Sequence, residues 1–193
     1  MTTRRKFLQA AAALPAMQSF AVNAAPADRV QAPFHAVVAA PGTANSFGET
    51  FAALGAPVHA MADDEITSLW LGTIRPLWEK GPATIAGLTR PAALFCLEQL
   101  AWSHRLRVVF HAEHVLHADG STAHQLHRGA AGVHLTATAL ARAGAAWPAQ
   151  LAQAMATHHR NQWGPRFGPS LAALEPALPA GAQLLTSWII AAA

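Results

Sequence analysis

Hydrophobic and polar positions along this chain follow two alternating patterns, which predict strands and helices in turn. Short apolar runs bounded by Pro and Gly are typical of buried strands, whereas apolar residues at three- and four-residue steps indicate amphipathic helices. The predicted strands cover residues 34–39, 58–61, 84–88, 106–117 and 121–128. The predicted helices cover residues 47–54, 66–78, 92–104 and 148–159. Residues 183–192 fit either a final strand or a short helix.

This alternation predicts a compact three-layer α/β domain, in which helices pack on a central sheet. The clearest strand signal is a β-hairpin near 106–128, where Asp119-Gly120 is typical of a two-residue turn. An α+β domain, with helices packed on one hairpin-containing sheet, is the alternative. The turn after the first strand lacks the three-glycine fingerprint of a dinucleotide site and the Gly-Lys-Ser/Thr of a phosphate-binding loop. The pattern therefore gives little support to nucleotide binding.

The first 24 residues have the three parts of an export signal. Arg4, Arg5 and Lys6 supply a positively charged beginning, and residues 7–16 form an Ala-rich apolar run. That run is shorter than the ~20 residues of a membrane-spanning helix. Small residues at 22 and 24 suit a signal peptidase, so we expect cleavage before Ala25.

The paired Arg4 and Arg5, followed by Phe7 and Leu8, resemble a twin-arginine (Tat) signal, with which bacteria export already folded proteins. The resemblance covers residues 1–24 and implies transport by the Tat translocase to the periplasm. Residues 25–193 then form a single mature α/β domain. Residues 25–193 contain no catalytic motif that we recognise, which favours a non-catalytic binding or accessory protein. Because Tat passengers are often redox proteins or their partners, the resemblance implies a periplasmic protein partner and an association with a redox enzyme.

Removal of the leader changes the charge of the protein. The chain has 13 Lys and Arg against 10 Asp and Glu, but three of the cations lie in the leader and every acidic residue lies beyond it. The mature domain is therefore close to neutral and has no basic stripe, so we expect no nucleic-acid partner. No later stretch of ~20 apolar residues follows, so we expect no stable membrane span after cleavage.

Histidine is the chemically suggestive residue of the mature chain, since five of the eleven histidines fall within the predicted hairpin. If the hairpin closes with a two-residue turn, His111, Glu113 and His117 share one face with His124. Such a group could hold Zn²⁺ or Cu²⁺ in a small metal- or cofactor-dependent enzyme. A solvated polar face of the hairpin is the simpler explanation, and a protonation-sensitive contact surface is a third.

Two other features have less specific implications. The Gly- and Pro-rich segment 161–169 presents Trp163, Arg166 and Phe167, and large apolar residues in an irregular segment suggest a contact loop for a partner or ligand. The single cysteine, Cys96, excludes an internal disulfide and lies in an apolar stretch with helical character. For that reason we expect a buried, unreactive thiol.

Overall fold

One six-stranded mixed sheet forms the centre of the structure, a computed structural model that describes residues 34–42, 44–61, 65–128, 135–157 and 178–192. The order across the sheet is β2-β1-β3-β6-β4-β5. The strands are β1 (Ala36–Ala39), β2 (Val58–Ala60), β3 (Ile85–Thr89), β4 (Leu106–Leu116), β5 (Thr122–Arg128) and β6 (Gln183–Ala192). Strand β1 pairs in parallel with β2 and β3, while β6 pairs antiparallel with β3 and β4, and β4 antiparallel with β5.

Helices cover both faces of this sheet. They are α1 (Asn45–Ala53), α2 (Thr67–Leu69), α3 (Arg75–Glu79), α4 (Pro91–Ser103), α5 (Ala137–Arg142) and α6 (Trp147–Ala156). A π-helical turn, Trp70–Ile74, joins α2 to α3, and a 3₁₀ turn, Gly144–Ala146, joins α5 to α6. The π-helical turn lies just before Pro76, which lacks the N–H that an α-helix would use at this position. Across the described ranges, we find no helix with the length and apolar character needed to cross a membrane.

Two hydrophobic cores, one on each face of the sheet, give the domain its three layers. The first contains large side chains of α1, α5 and α6, among them Phe47, Phe51, Leu140, Leu151 and Met155. The second contains side chains of the π-helical turn, α3 and α4, among them Ile74, Trp78, Leu94, Leu97 and Ala101. The predicted α/β class is thereby confirmed, because a single mixed sheet lies between two helical layers.

Strand β6 resolves the ambiguity that the sequence left over residues 183–192. It lies between β3 and β4, and eight successive residues from Leu184 to Ala191 are buried. A strand that is covered on both faces forms a continuous apolar run, so its sequence lacks the alternation that distinguishes a strand from a helix.

A close contact between β3 and β6 fixes the spacing of the two strands. Gly87 of β3 pairs with Trp188 of β6, and the Trp188 indole lies directly over the glycine. A Cβ at position 87 would be 2.3 Å from Cζ2 of that indole. The indole Nε1 donates a hydrogen bond to Thr89 Oγ1 at 3.0 Å, and Trp188 is fully buried. Only glycine therefore fits at position 87 without displacing the ring.

The hairpin β4–β5 has a register one residue away from the predicted one. His114 pairs with His124, whereas a two-residue turn would have paired Val115 with His124. The loop has three residues, 118–120, closed by a hydrogen bond from His117 N–H to Ser121 O at 2.9 Å. Gly120 at its third position has φ +83°, the left-handed conformation that three-residue hairpin loops require there. The one-residue difference moves the side chains from Thr122 to Leu126 to the other face of the sheet, whereas a β-bulge beside His111 leaves Arg128 paired with His111.

Candidate functional site

The shifted register separates the residues of the predicted metal group. His124 lies with His114 on the face of the sheet covered by α6, where both rings contact Trp147. Glu113 lies on the opposite face, because side chains alternate along β4. His111, Glu113, His117 and His124 are therefore not brought together. Within the ranges that the structure describes, no three His, Cys, Asp or Glu side chains are grouped so as to hold a metal ion.

The opposite face of the hairpin carries a separate histidine pair. The His111 and His127 rings stack at a centroid distance of 5.1 Å and an interplanar angle of 18°. His127 Nε2 lies 3.2 Å from Glu113 Oε2, an ion pair whenever His127 is protonated. His111 is 2% exposed. The group of His111, His127 and Glu113 therefore differs from the solvated polar face that was the simpler explanation for the histidines of the hairpin.

A buried chain of hydrogen bonds crosses three neighbouring strands on the α6 side. His114 Nδ1 of β4 lies 2.8 Å from His124 Nδ1 of β5, and His114 Nε2 lies 2.8 Å from Ser187 Oγ of β6. His114 and Ser187 are fully buried. The chain therefore begins at Ser187 in the centre of the sheet and ends at His124 near its edge.

His114 and His124, the two histidines of the hydrogen-bonded chain, have lowered pKa values. Burial lowers the pKa of His114 well below its usual 6.5, and the neighbouring His124 and His111 lower it further. Burial also lowers the pKa of His124. Both imidazoles are consequently neutral near pH 7, and a neutral imidazole has one N–H and one acceptor nitrogen. In the bond between the two Nδ1 atoms one ring must donate and the other accept, so the chain has two possible tautomeric arrangements.

Trp147 holds the two rings in place. Its indole lies 4.4 Å from the His114 ring, tilted by 32°, and 5.0 Å from the His124 ring in an edge-on arrangement. Trp147 is the first residue of α6, with Pro148 next to it, and it is 2% exposed. Because the indole fills the space above both imidazoles, neither ring can rotate freely out of the hydrogen-bonded chain.

A pocket of about 860 Å³ lies where the hairpin tip meets the connection between α5 and α6 and the residues leading into β6. Its lining residues are Leu116, His117, Ala118, Gly120, Ser121, Thr122, His124, Ala141, Gly144, Ala145, Trp147, Gly181 and Gln183. None of these is Asp, Glu, Lys or Arg, so His117 and His124 are the titratable groups of the wall. The hydrogen-bonded chain Ser187–His114–His124 therefore ends in a pocket wall that, among the residues the structure describes, contains no Asp, Glu, Lys or Arg.

The outer side of α4 carries large apolar residues. Phe95 is 51% exposed and Trp102 is 43% exposed, and they lie on the same side of the helix, two turns apart. Cys96 is exposed as well, so the prediction of a buried thiol is wrong. The reason is the orientation of α4, which turns Leu94, Leu97 and Ala101 towards the sheet and leaves its neighbouring residues outside.

Three residues of the candidate site are not predicted by the sequence patterns, namely His114, Trp147 and Ser187. Ser187 had a recognisable signal, since it is a polar residue within an apolar run, and such residues need a buried hydrogen-bond partner. A two-residue turn places His114 on the opposite face of the hairpin from His124. Trp147 had no signal beyond its position at the start of a predicted helix.

The predicted contact loop with Trp163, Arg166 and Phe167 lies outside the described residues, as does the signal motif with Arg4, Arg5, Phe7 and Leu8. Comparison of the chain with protein-family models, with curated proteins and with solved structures gives no match in any of the three. The functional proposal therefore rests on the residues of the chain itself.

Proposed function

We propose that this chain is exported to the periplasm by the Tat pathway and that its mature domain is a non-catalytic binding protein, an accessory to a redox enzyme. The observation that supports binding is the pocket of about 860 Å³ between the hairpin tip and the helices α5 and α6. Small-molecule sites commonly have several hundred cubic ångströms of space, apolar walls and a few polar groups. The wall formed by Leu116, Trp147, Thr122 and Gln183 has this mixed character.

Burial of the hydrogen-bonded chain Ser187–His114–His124 favours binding over nucleophilic catalysis by Ser187. Ser187 is the hydroxyl next to a histidine, an arrangement that activates nucleophiles in enzymes. Here both Ser187 and His114 are fully buried, and neither is among the described residues that line the pocket. A nucleophile must reach the reacting atom of its substrate, so Ser187 in this position supports the wall and does not attack a ligand.

Blocking the pocket tests the binding function. Ala145 is an exposed lining residue, so Ala145→Trp fills the pocket without disturbing the core. Ala92→Trp adds the same side chain to the exposed side of α4, on the other face of the sheet, and serves as the matched control. Native mass spectrometry of protein purified from the periplasm should detect a bound small molecule in the wild type and in Ala92→Trp, but not in Ala145→Trp. Equal occupancy in all three proteins would contradict binding at this pocket.

Export is tested by the conservative replacement of both arginines. Arg4→Lys together with Arg5→Lys keeps the charge of the leader but removes the paired arginines on which the Tat resemblance depends. We expect this variant to stay unprocessed in the cytoplasm, while the control Lys6→Arg is processed and reaches the periplasm. Normal export of the double variant would indicate a different export route.

The accessory role is tested by affinity purification from the periplasm. A larger redox enzyme that co-purifies with the wild-type protein supports this role. Trp163→Ala tests the predicted contact loop in the same experiment, since loss of the partner would assign the contact to that loop. Retention of the partner would show that it binds elsewhere on the domain.

A small enzyme is the second candidate function, and the chain Ser187–His114–His124 is the observation that favours it. Histidines linked in this way can transfer a proton to a group at the pocket wall. Metal analysis of the periplasmic protein addresses the metal-dependent form of this hypothesis. Stoichiometric Zn²⁺ or Cu²⁺ in the purified protein supports a metal-dependent enzyme and contradicts the non-catalytic role.

A further inference from the structure

We propose that His124 is the hydrogen-bonding anchor of the pocket, and that its ligand is an uncharged molecule with a hydroxyl or carbonyl group. This inference rests on the proposed binding function and adds the chemical class of the ligand. It is carried by the position of His124, which both forms part of the pocket wall and ends the buried chain from Ser187 through His114.

The free edge of the His124 ring provides the anchor. Its Nδ1 is held by His114 at 2.8 Å, so the ring orientation is fixed. Its Nε2 exposes less than 1 Å² and has no hydrogen-bond partner among the residues that the structure describes. A buried polar atom without a partner destabilises a folded protein, so a ligand group that bonds to Nε2 gains affinity. Because so little of Nε2 is exposed, the ligand must displace neighbouring wall atoms to reach it.

The hydrogen bonds from Ser187 through His114 to His124 let His124 Nε2 act as a donor or as an acceptor. If His114 Nδ1 donates to His124 Nδ1, then His124 carries its proton on Nε2 and donates to the ligand. In the other arrangement His124 Nδ1 donates to His114, and His114 Nε2 donates to Ser187 Oγ. His124 Nε2 is then an acceptor. A hydroxyl group satisfies either arrangement, and a carbonyl oxygen satisfies the first.

The composition of the wall selects against charged ligands. In the part of the chain that the structure describes, the lining residues include no Asp, Glu, Lys or Arg, and Leu116, Ala141 and Trp147 give the wall an apolar part. A charged ligand would lose water without meeting an opposite charge, which is strongly unfavourable. The titratable groups near His124 are His114, which bonds to its Nδ1, and His117 in the wall. The Asp119 carboxylate lies in the same hairpin tip, is not itself a lining residue, and accepts hydrogen bonds from Ser121 N–H and Oγ. A neutral ligand therefore fits the described part of this surface better than an ion.

Four probes of similar size separate the effect of a hydroxyl group on binding from the effect of a charge. Phenol has a ring and a hydroxyl group, toluene replaces the hydroxyl with a methyl group, benzoate is an anion and benzylammonium is a cation. Ligand-observed NMR titrations at pH 7.5, with the mature protein, should show phenol binding about tenfold more tightly than toluene, equivalent to about 1.4 kcal/mol. Benzoate and benzylammonium should bind more weakly than phenol. Equal affinities for phenol and toluene, or strongest binding of an ion, would overturn the proposal.

Variants of the wall assign the preference to His124. His124→Phe keeps the ring but has no hydrogen-bonding nitrogen, so phenol and toluene should bind to it within about twofold of each other. His59→Phe makes the same change on the edge strand β2, outside the pocket wall, and should keep the preference for phenol. If His124→Phe does not fold, the ¹⁵N resonance of His124 Nε2 in the wild type gives the same information. It should shift with phenol and not with toluene, and a shift with neither contradicts the role of His124.

Failure of this inference differs from failure of the binding function. If toluene binds as well as phenol and Ala145→Trp blocks both, the pocket binds ligands but His124 does not select them. If none of the four probes binds and the periplasmic protein carries no small molecule, the proposed binding function itself is wrong, and the inference fails with it.

Discussion

Replacing Gly87 with alanine should destabilise the domain strongly, because the added Cβ would occupy the place of the Trp188 indole. The Cβ would lie 2.3 Å, 2.5 Å and 2.9 Å from three ring atoms, well inside the closest contacts that side chains make. The ring cannot easily retreat, since Trp188 is fully buried and its Nε1 donates to Thr89 Oγ1.

The magnitude follows from two contributions. Inserting a methyl group into a well-packed core destabilises by about 1–3 kcal/mol, and loss of the Trp188–Thr89 hydrogen bond adds about 1 kcal/mol. We therefore expect Gly87→Ala to lower the free energy of unfolding by about 2–4 kcal/mol. For a domain of this size that corresponds to a fall in Tm of about 5–15 °C. Because Ser187 is next to Trp188, the same change should also disturb the hydrogen-bonded histidine chain.

Chemical and thermal unfolding of the purified mature protein measure this effect. Gly72→Ala is the matched control, because a Cβ there has no atom within 4 Å, and its stability should change by no more than about 1 kcal/mol. Combining Gly87→Ala with Trp188→Phe should recover part of the loss relative to the sum of the single variants, since the smaller ring makes room for the methyl group. A loss below about 0.5 kcal/mol in Gly87→Ala would refute the packing argument.

Three further predictions concern the site and the surface. Since burial lowers the pKa of His114 below that of the unfolded chain, the unfolded state takes up this proton first as the pH falls, so stability should decline below about pH 6.5, by at most about 1.4 kcal/mol per pH unit. Urea unfolding at pH 5.0 and 7.5 checks this, and an unchanged pH dependence in His114→Phe would contradict the assignment. Ser187→Ala should cost about 1–3 kcal/mol because it leaves His114 Nε2 unpaired, whereas Ser103→Ala on the surface should change stability by at most about 0.5 kcal/mol in the same assay. Cys96 should react with a thiol reagent in the folded protein, and a reaction that requires denaturant would show that the thiol is covered.

Much of the fold could be predicted from the sequence, because most of its elements have a clear local pattern. The segment that forms α4 has Pro91 at its start and apolar residues on one side, and the predicted and observed helix limits differ by one residue at each end. Helix α5 lies in an Ala-rich stretch where helix and loop patterns are similar, so the sequence alone does not predict it. Strand β6 was ambiguous, because burial on both faces removes its alternation.

The candidate site was harder to predict, because it depends on a single residue in a loop. Asp119-Gly120 suits a two-residue turn, and it equally suits the end of a three-residue loop with Gly120 in the left-handed conformation. That choice alone decides whether His124 lies near Glu113 or near His114. The contacts of His114 with Ser187 and Trp147 join segments far apart in the chain, and local patterns carry no information about such contacts.

The central position of β6 has a consequence for the order in which the protein can be made. A ribosome that has synthesised all residues up to the end of β5 has not yet supplied the strand that joins the parallel half of the sheet to the antiparallel half. Until then β3 and β4 each present an unpaired edge, which can associate with other chains. Pairs such as Gly87 with Trp188 also join residues that are far apart in the sequence, and contacts of this kind slow folding. The sheet can therefore be completed only after β6 has been synthesised. A protein that is exported already folded, as proposed for this chain, can be exported only after β6 has joined the sheet.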